Sequence, residues 1–583
     1  MKFGIAFELP CRRIIRILVV MRLISHAQQE AAPRAKVALA LQGGGFRAHV
    51  ADVGIIAGLL KFVGELSMLP LPTLRQTGLL DRFDTFSTNS GSTWFFSELA
   101  YSSSFRSLIE QMAASPRTAG DQFNAQWFDP WKRASGVDPN IFNPRRDVAE
   151  WLVTLFLGKG DEDTIFAMQY ILATNASWNE FVKILLTSTS SIERDMTLAS
   201  PVEDWAVGKY WLVDHTILLP SEHDRAFMFT KDMNLSKYDF YQTVRYGAKG
   251  KGSVSPLVPA KFSIKLGDGP NASAPFPYLA RSAVVNLTKF DYKGIVFPLV
   301  DAPKRESANL DYEDLSGKAL VRNVGSLPIW GVATASSAFA GGASMFGLLV
   351  NKVLARLNHA DLTPWVSNAA DGAAFSRASA LVAAMKEPFG VRRGTVKEAA
   401  LGAVHGVVDG GYSDGTGLGT AISAGAREVL LILNSGPTDS PFYLEVLCTD
   451  GPRPANPMLP QALFPLFETS ASAVQKAWSG FDRLRLPNGT RFLTMLSAGS
   501  IQMTTADNRY FGIERGHHVI VHVVTVCASL NIGFFEKYVN FGQLSQEIIL
   551  TILSDYNKGI VNDVVLPMLL GQSSSGRSAT VII

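Results

Sequence analysis

The sequence predicts an α/β fold with a mostly parallel central sheet, because short apolar strand patterns alternate with helical patterns. Residues 37–42 form an apolar run that ends in three consecutive glycines, and residues 50–63 then repeat apolar side chains at helical spacing. A second strand pattern at 83–88 leads through Ser90 into another helical pattern. Strands that alternate with helices are typical of a sheet with helices packed on it.

Length and composition indicate a large, well-packed chain and argue against a nucleic-acid-binding protein. The 583 residues predict one large elaborated domain or two domains. The chain is 47% hydrophobic and 18% charged, with a net charge of +3 and no run of five Lys or Arg residues. A nucleic-acid-binding protein would concentrate its basic residues in one region. Cys11, Cys448 and Cys527 lack CxxC spacing, which predicts neither a disulfide framework nor a zinc site.

Residues 1–34 are predicted to be a leader, an amphipathic segment or a tail. Arg22 ends the apolar run 17–21 after five residues, whereas a secretory signal needs a longer uncharged core. A secretory signal ending near Ala27 and a basic helix on an anionic membrane both stay open. Asn-x-Ser/Thr sequons lean towards secretion, but a cytoplasmic or peripheral membrane location is favoured. These sequons begin at Asn175, Asn234, Asn271, Asn286 and Asn488.

The main domain is predicted to span residues 35–571, followed by a flexible tail at 572–583. Within it, residues 105–260 combine Trp127, Trp131 and a Pro/Asn-rich patch with several helical stretches. This block is predicted to be a helical cap or insertion over a cleft. The uncharged segment 323–351 contains Pro328 and five glycines, which favours a buried strand, turn and helix over a membrane span.

Three motifs supply the parts of an acyl hydrolase. Ser90 stands where a strand pattern meets a helical pattern, and such a turn exposes the hydroxyl to a cleft. Gly44 and Gly45 stand between a strand end and a helix start, where unshielded backbone N–H groups can bind an oxyanion. Asp409, followed by two glycines, ends a third apolar strand pattern and could accept the serine proton directly.

Other interpretations of these residues remain open. The glycine loop also fits a dinucleotide-binding fingerprint, although Glu65 does not end a strand as that motif requires. Asp414 is expected to cap a helix that begins near Thr416. His49 and Asp52 are expected to be surface or supporting residues. A Ser-His-Asp triad would need a late histidine in a loop after a strand, and the candidates are His405, His517, His518 and His522.

Residues 43–48 together with residues 90–94 resemble the catalytic domain of cytosolic phospholipase A2 and fungal phospholipase B, within the patatin-like phospholipase superfamily. Asp409-Gly410-Gly411 is similar to the Asp-Gly-Gly motif of patatins, and residues 333–338 resemble the small-residue segment that precedes it. The resemblance implies a three-layer sandwich with a mostly parallel central sheet and a helical cap, in a catalytic domain over 35–571.

The resemblance also implies the roles of the site residues. Ser90 would be the nucleophile and Asp409 its base. Gly44 and Gly45 would form the oxyanion hole, and Arg47 would bind the substrate phosphate. The implied reaction is acyl-ester hydrolysis of a phospholipid or lysophospholipid through an acyl-serine intermediate. It needs no metal or organic cofactor, involves no nucleic acid and requires transient contact with a membrane surface.

Two departures from the family pattern leave other functions open. Thr88 stands where the family has glycine two residues before the serine, and Gln42 stands where it usually has serine. A β-branched residue at Thr88 could strain or narrow the turn. The alternatives are therefore a weak or silent lipid-binding relative and a triad esterase. No calcium-binding C2 module is expected before Lys36. Positional specificity, head group, acyl chain and oligomeric state stay open.

Overall fold

The computed structural model describes most of the chain after residue 33. Residues Ala35–Ile583 group as one compact unit, whereas the segment predicted as a leader lies, apart from Arg34, outside the described residues. The described residues are 34–157, 162–174, 178–218, 257–272, 274–276, 291–292, 295–296, 324–337, 363–366, 404–435, 441–452, 465–508, 511–530, 535–571 and 580–581.

Within the described residues, eleven strands form one mixed sheet, and two more form a separate pair, β5 and β6. The path through the sheet runs β10-β11-β12-β9-β1-β2-β3-β8-β7, with β13 beside β11 and β4 beside β3. The strands are β1 (Val37–Leu41), β2 (Thr85–Thr88), β3 (Tyr210–Leu218), β4 (Leu257–Lys265), β5 (Asp291–Tyr292), β6 (Ile295–Val296), β7 (Thr363–Val366), β8 (Val404–Asp409), β9 (Glu428–Ser435), β10 (Asp482–Arg483), β11 (Leu493–Thr504), β12 (His518–Ala528) and β13 (Thr580–Val581).

The centre of the sheet is parallel and its flanks are antiparallel. Strands β12, β9, β1, β2 and β3 run parallel to one another. Antiparallel pairs join β10 to β11, β11 to β12, β3 to β4, β3 to β8 and β7 to β8. The predicted α/β class with a mostly parallel sheet is therefore confirmed in its centre. Strand β13 pairs with β11, so the segment predicted as a flexible tail contains part of this sheet.

Helices connect and cover these strands. They are α1 (Gly45–Leu66), α2 (Leu74–Thr77), α3 (Gly91–Tyr101), α4 (Ser103–Ala114), α5 (Ala119–Phe123), α6 (Asp129–Ser135), α7 (Pro139–Phe142), α8 (Arg146–Leu157), α9 (Glu162–Thr174), α10 (Trp178–Thr189), α11 (Ile329–Ser336), α12 (Leu418–Ser423), α13 (Phe442–Glu445), α14 (Ala471–Ser479), α15 (Val539–Leu553), α16 (Lys558–Ile560) and α17 (Leu566–Leu570). Within 323–351, residues 324–326 form a 3-10 turn rather than the expected strand, and residues 338–351 lie outside the described residues.

The two faces of the sheet have separate apolar cores. Because side chains alternate along a strand, Leu39 and Leu41 of β1 enter one core, whereas Ala38 and Ala40 enter the other. The first core contains side chains of α1, α3 and α15, and the second contains side chains of α12, α13 and α14. Helices thus cover both faces, as in an α/β sandwich.

The range 105–260, predicted as a cap insertion, contributes to the first core and to the sheet. The Phe46 ring of α1 lies 6.1 Å from the Trp127 ring and 5.2 Å from the Phe166 ring, measured between centroids. Helices of this range therefore pack on α1. The same range contains β3, which pairs with β2 in the centre of the sheet. A covering role over the cleft stays a prediction. Among the described helices, none combines the length and the apolar character needed to span a bilayer.

Candidate active site

The turn between β2 and α3 carries Ser90 in an unusual backbone conformation. Strand β2 ends at Thr88, α3 begins at Gly91, and Ser90 between them has φ 51° and ψ −125°. A positive φ is uncommon for a residue with a side chain, and such strain is concentrated at functional sites. Ser90 is only half-buried. The predicted strand-to-helix turn is confirmed, with the serine at the point where the strand gives way to the helix.

Glycines let the turn and the glycine loop approach each other. A Cβ on Gly91 would lie 1.9 Å from the carbonyl oxygen of Gly45, and a Cβ on Gly43 would lie 2.8 Å from Ser90 Cβ. Neither position can hold a side chain without a backbone shift. Glycine at these two positions therefore allows the first turns of α1 and α3 to contact each other around Ser90.

Ser90 and Asp409 form a hydrogen-bonded pair. Ser90 Oγ donates to Asp409 Oδ2 at 3.0 Å, and the backbone N–H of Gly411 donates to Asp409 Oδ1 at 2.7 Å. Asp409 is 6% exposed. The strand register explains why Ser90 and Asp409 lie close together. Thr88 of β2 lies opposite Val213 of β3, and Asp409 of β8 lies opposite His215, two residues farther along β3. Strand β8 therefore ends just beyond the end of β2.

Asn89, which the sequence analysis missed, joins the serine turn to the aspartate loop. Its Nδ2 donates to the Asp414 carbonyl at 2.8 Å. A Cβ on Gly410 would lie 2.6 Å from Asn89 Oδ1, so glycine after the aspartate permits this approach. An asparagine between a strand and a serine turn is a weak signal in sequence, because Asn is common in turns of every kind.

The glycine loop forms the start of α1. Gly44 is the N-cap residue with φ 141°, and Gly45 follows with φ 58°. The first backbone N–H groups of a helix have no partner within that helix, and they attract negative charge. Arg47 Nη2 lies 3.8 Å from the position of a Cβ on Gly44. The structure thus brings Gly44, Gly45 and the half-buried Arg47 to the same end of the sheet as Ser90.

A row of hydroxyl groups supports the serine turn from behind. The Ser90 backbone N–H donates to Ser336 Oγ at 3.0 Å, and Ser336 Oγ lies 2.9 Å from Thr93 Oγ1. Thr93 Oγ1 donates to Thr88 Oγ1 at 3.1 Å, and Trp211 Nε1 donates to the same oxygen at 3.0 Å. Thr88 is fully buried in β2, where a β-branched residue fits. Its side chain therefore contributes to the support of the turn, and the positive φ falls on Ser90.

Ser336 gives the small-residue segment 333–338 a structural role. Residues 333–336 form the end of α11, and Ser336 Oγ accepts a hydrogen bond from the backbone N–H of the serine turn. The adjacent Ser337 Oγ accepts a hydrogen bond from Trp94 Nε1 at 3.0 Å. Sequence reasoning noted the segment only by resemblance, because a serine that accepts one distant N–H has no local signature.

The late histidines proposed for a triad have other partners where their side chains are described. His522 Nδ1 lies 2.7 Å from Ser500 Oγ, and its Nε2 lies 2.8 Å from Glu428 Oε1. His517 Nε2 lies 3.7 Å from Glu514 Oε2. The His405 side chain lies outside the described residues. In the part of the chain that the structure describes, Asp409 is the side chain that accepts a hydrogen bond from the Ser90 hydroxyl.

Charged side chains are buried beside the aspartate loop. Asp414 Oδ1 accepts the Thr416 N–H at 3.2 Å and its Oδ2 accepts the Thr420 N–H at 2.9 Å. Asp414 thus bonds the first turn of α12, although the N-cap position of that helix is Gly417. Burial raises the pKa of both Asp214 and Asp414, and burial lowers the pKa of Lys261 to about 8. These pKa shifts all disfavour the charged forms of Asp214, Asp414 and Lys261.

His49 and Asp52 lie in the core, so the expected surface location is wrong, and the alternative of a supporting role stays a prediction. Both are 0% exposed. His49 Nε2 lies 2.6 Å from Glu98 Oε2, which also accepts from Trp127 Nε1 at 3.0 Å. Thr189 Oγ1 donates to Glu98 Oε1 at 2.5 Å. The long α1 places these polar residues against α3, which a helical pattern alone does not reveal.

No three acidic, histidine or cysteine side chains cluster as a metal site within the described residues. The absence of a metal requirement stays a prediction. Comparison with known proteins finds no protein-family model and no curated protein that matches this chain. The geometry around Ser90 and the sequence motifs are therefore the observations that bear on function.

Proposed function

We propose that this protein is an acyl-ester hydrolase of the patatin-like type that acts on a phospholipid or lysophospholipid through a Ser90–Asp409 dyad. The observation that carries the proposal is the 3.0 Å hydrogen bond from Ser90 Oγ to Asp409 Oδ2, at a strained turn beside the start of α1. A serine nucleophile needs an adjacent base and oxyanion donors, and these groups converge here from three separate parts of the chain.

In the proposed reaction, Ser90 Oγ attacks the acyl carbonyl carbon while Asp409 accepts the hydroxyl proton. The negative charge that develops on the carbonyl oxygen faces the backbone N–H groups of Gly44 and Gly45. The ester C–O bond then breaks, and the proton passes from Asp409 to the leaving alcohol. Water next attacks the acyl-serine, gives its proton to Asp409 and releases the fatty acid, and the proton returns to Ser90.

A phosphate-bearing substrate is favoured by the position of Arg47. Its guanidinium lies beside Gly44, one helical turn from the expected oxyanion donors, and arginine binds phosphate through paired N–H groups. The resemblance of residues 43–48 and 90–94 to phospholipase catalytic domains supports the same substrate class. A lipid substrate would enter from a membrane surface, so transient membrane contact is part of the proposal.

The first experiment is covalent labelling with a fluorophosphonate probe. Wild type should react, Ser90→Ala should not react, and Asp409→Asn should react about 10²- to 10⁴-fold more slowly because the base is lost. Ser104→Ala and Asp268→Asn are matched controls, because both side chains are exposed. Both controls should react like wild type.

Two outcomes would contradict the proposal. Folded wild type that takes no label would remove the hydrolase function and favour a silent lipid-binding relative, which vesicle binding without turnover would then show. Labelling that persists in Ser90→Ala would assign the nucleophile to another residue. If labelling follows the dyad, turnover of phospholipid and lysophospholipid vesicles identifies the substrate.

A further inference from the structure

Asp52 and Ser92 form a buried contact behind the glycine loop that the proposed reaction does not use. Ser92 lies on α3, two residues after Ser90, and Asp52 lies on α1. Ser92 Oγ is 2.6 Å from Asp52 Oδ2 and 2.7 Å from the backbone carbonyl oxygen of Gln42. All three residues are at most 3% exposed. Gln42 immediately precedes the three glycines.

The number of protons limits how these contacts can be made. A serine hydroxyl has one proton to donate, and a backbone carbonyl can only accept. If Asp52 were ionised, Ser92 would have to donate its one proton to two acceptors. One of the two short contacts would then bring two oxygen atoms together with no proton between them. Both contacts are satisfied when Asp52 carries a proton, donates it to Ser92 Oγ and leaves the Ser92 proton to Gln42.

The surroundings of Asp52 agree with a neutral carboxyl group. Among the described residues, Asp52 Oδ1 has no hydrogen-bond partner although it is buried, and an ionised carboxylate in such a place is costly. Burial raises the pKa of Asp52, and the Ser92 hydrogen bond opposes that shift only in part.

The other titratable groups on α1 and on the elements packed against it make their contacts away from Asp52, among the described residues. These contacts are Arg47 beside Gly44, His49 with Glu98, Lys61 with Glu65, Arg75 with Asp204, Arg106 with Glu110, Glu428 with Arg82 and His522, and Glu547 with the backbone N–H groups of 491–493.

We propose that Asp52 is held as a neutral carboxylic acid that donates through Ser92 to the Gln42 carbonyl, and that this relay positions the glycine loop against the nucleophile turn. The Gln42 carbonyl and the Gly43 N–H belong to one rigid peptide plane. That N–H donates to the Gly415 carbonyl at 3.2 Å. A hydrogen bond that fixes the Gln42 carbonyl therefore also fixes the orientation of this peptide plane, and with it the direction of the backbone towards Gly44. Asp52 is a positioning residue in this proposal.

Strand β9 holds the Gln42 end of the relay. Gln42 Oε1 accepts the Asn434 N–H at 2.6 Å, and Asn434 Nδ2 donates to the Gln42 carbonyl at 3.3 Å. Asn434 belongs to β9, beside β1. The relay thus links β9, the glycine loop and α3. Its effect on labelling depends on the proposed function, whereas the proton on Asp52 does not.

The test compares Asp52→Asn, which keeps a donor of the same shape, with Asp52→Ala, which removes it. Fluorophosphonate labelling should be slowed about 100-fold in Asp52→Ala, because small misplacements of catalytic groups have effects of that size. It should recover in Asp52→Asn. If Asp52 acted as an anion, both variants would lose labelling equally, and that result would overturn the proposal.

Two further measurements test whether Asp52 is protonated, and neither depends on enzymatic activity. The infrared difference between wild type and Asp52→Asn at neutral pH should contain a carboxylic-acid C=O band, and a carboxylate band in its place would overturn the proposal. The urea midpoint of wild type should fall relative to that of Asp52→Asn as the pH rises above 3.8. A fall with decreasing pH instead would indicate an ionised Asp52.

These readouts separate the two proposals. If wild type takes no label but the infrared band and the pH trend are present, the hydrolase proposal fails and the neutral Asp52 stands. If labelling depends on Ser90 and Asp409 but Asp52→Asn is as slow as Asp52→Ala, the dyad stands and the neutral relay fails.

Discussion

His49 Nε2 lies 2.6 Å from Glu98 Oε2 inside the first core, where aromatic rings surround the histidine. The His49 ring is 4.5 Å from the Trp127 ring and 5.6 Å from the Phe105 ring, measured between centroids. His49 belongs to α1, which begins with the glycine loop, and Glu98 belongs to α3, which begins after Ser90. The pair therefore joins the two helices whose first turns form the candidate site.

Glu98→Ala should lower the free energy of unfolding by about 3–5 kcal/mol, because it leaves the buried His49, Trp127 and Thr189 without their shared acceptor. Urea unfolding measures the effect. Glu193→Ala is the control, because that side chain is exposed. Equal midpoints for the two variants would show that the pair contributes little to stability.

Gly91→Ala should disrupt the contact between α1 and α3, because the new Cβ would lie 1.9 Å from the Gly45 carbonyl oxygen. We expect labelling of Ser90 to slow about 100-fold and stability to fall by about 1–3 kcal/mol. Gly559→Ala is the matched control, since a Cβ there meets no atom within 4 Å. A Gly91→Ala protein that labels at the wild-type rate would contradict the described packing.

Ser336→Ala should slow labelling because it removes the acceptor of the Ser90 N–H, which leaves that donor unsatisfied at a cost of about 1–3 kcal/mol. The adjacent Ser337→Ala is the control. It leaves Trp94 Nε1 unsatisfied and should lose similar stability while it keeps the labelling rate. Labelling rates and urea midpoints for both variants distinguish positioning of the nucleophile from a general loss of stability.

Arg47→Gln should impair hydrolysis of a phosphate-bearing ester far more than hydrolysis of a neutral ester. Loss of a charge-assisted hydrogen bond costs about 1.5–3 kcal/mol, which corresponds to roughly 10- to 150-fold in kcat/KM. The neutral ester serves as the internal control in the same protein. An equal loss for both substrates would assign Arg47 to the structure of α1 rather than to phosphate binding.

His215→Phe should flatten the acid side of the stability profile. Burial lowers the pKa of His215 from 6.5 to about 3, and its ring stacks on Phe262 with centroids 4.0 Å apart. Because the unfolded chain binds a proton that the folded protein excludes, wild type should lose about 1.4 kcal/mol for each pH unit between 6.5 and 3.

The measurement for His215 is the urea midpoint as a function of pH in wild type and in His215→Phe. The contribution is fully present above pH 6.5 and declines as the pH falls towards 3. His517→Phe is the control, because the His517 side chain is 40% exposed. Parallel profiles for wild type and His215→Phe would show that His215 does not carry this dependence.

Local patterns were sufficient to predict the elements that carry the site. The apolar run 37–42, the glycines after it and the serine at the next strand end predicted β1, the start of α1 and the turn at Ser90. Each of these depends on residues that are adjacent in sequence, where strand alternation, helical spacing and glycine conformation act directly. The same reasoning located Asp409 at a strand end.

The range 105–260 contains structure that local patterns do not reveal. Its predicted role as a cap stays a prediction, but β3 in this range is a central strand, and the Phe46 ring contacts the rings of Trp127 and Phe166. Pairing between strands that are far apart in sequence depends on the whole sheet. A strand that is buried on both faces therefore has no periodic signal that identifies its neighbours.

By itself the sequence determined the α/β class, the strand-to-helix turn at Ser90, the glycine loop and the strand-end aspartate, because short-range backbone preferences and side-chain alternation specify them. Only the tertiary structure decided that Ser90 and Asp409, 319 residues apart, meet at 3.0 Å. It also decided that Ser336 supports the turn and that Asp52 is buried against Ser92. These contacts arise from sheet register and helix packing, which bring together groups that no local pattern connects.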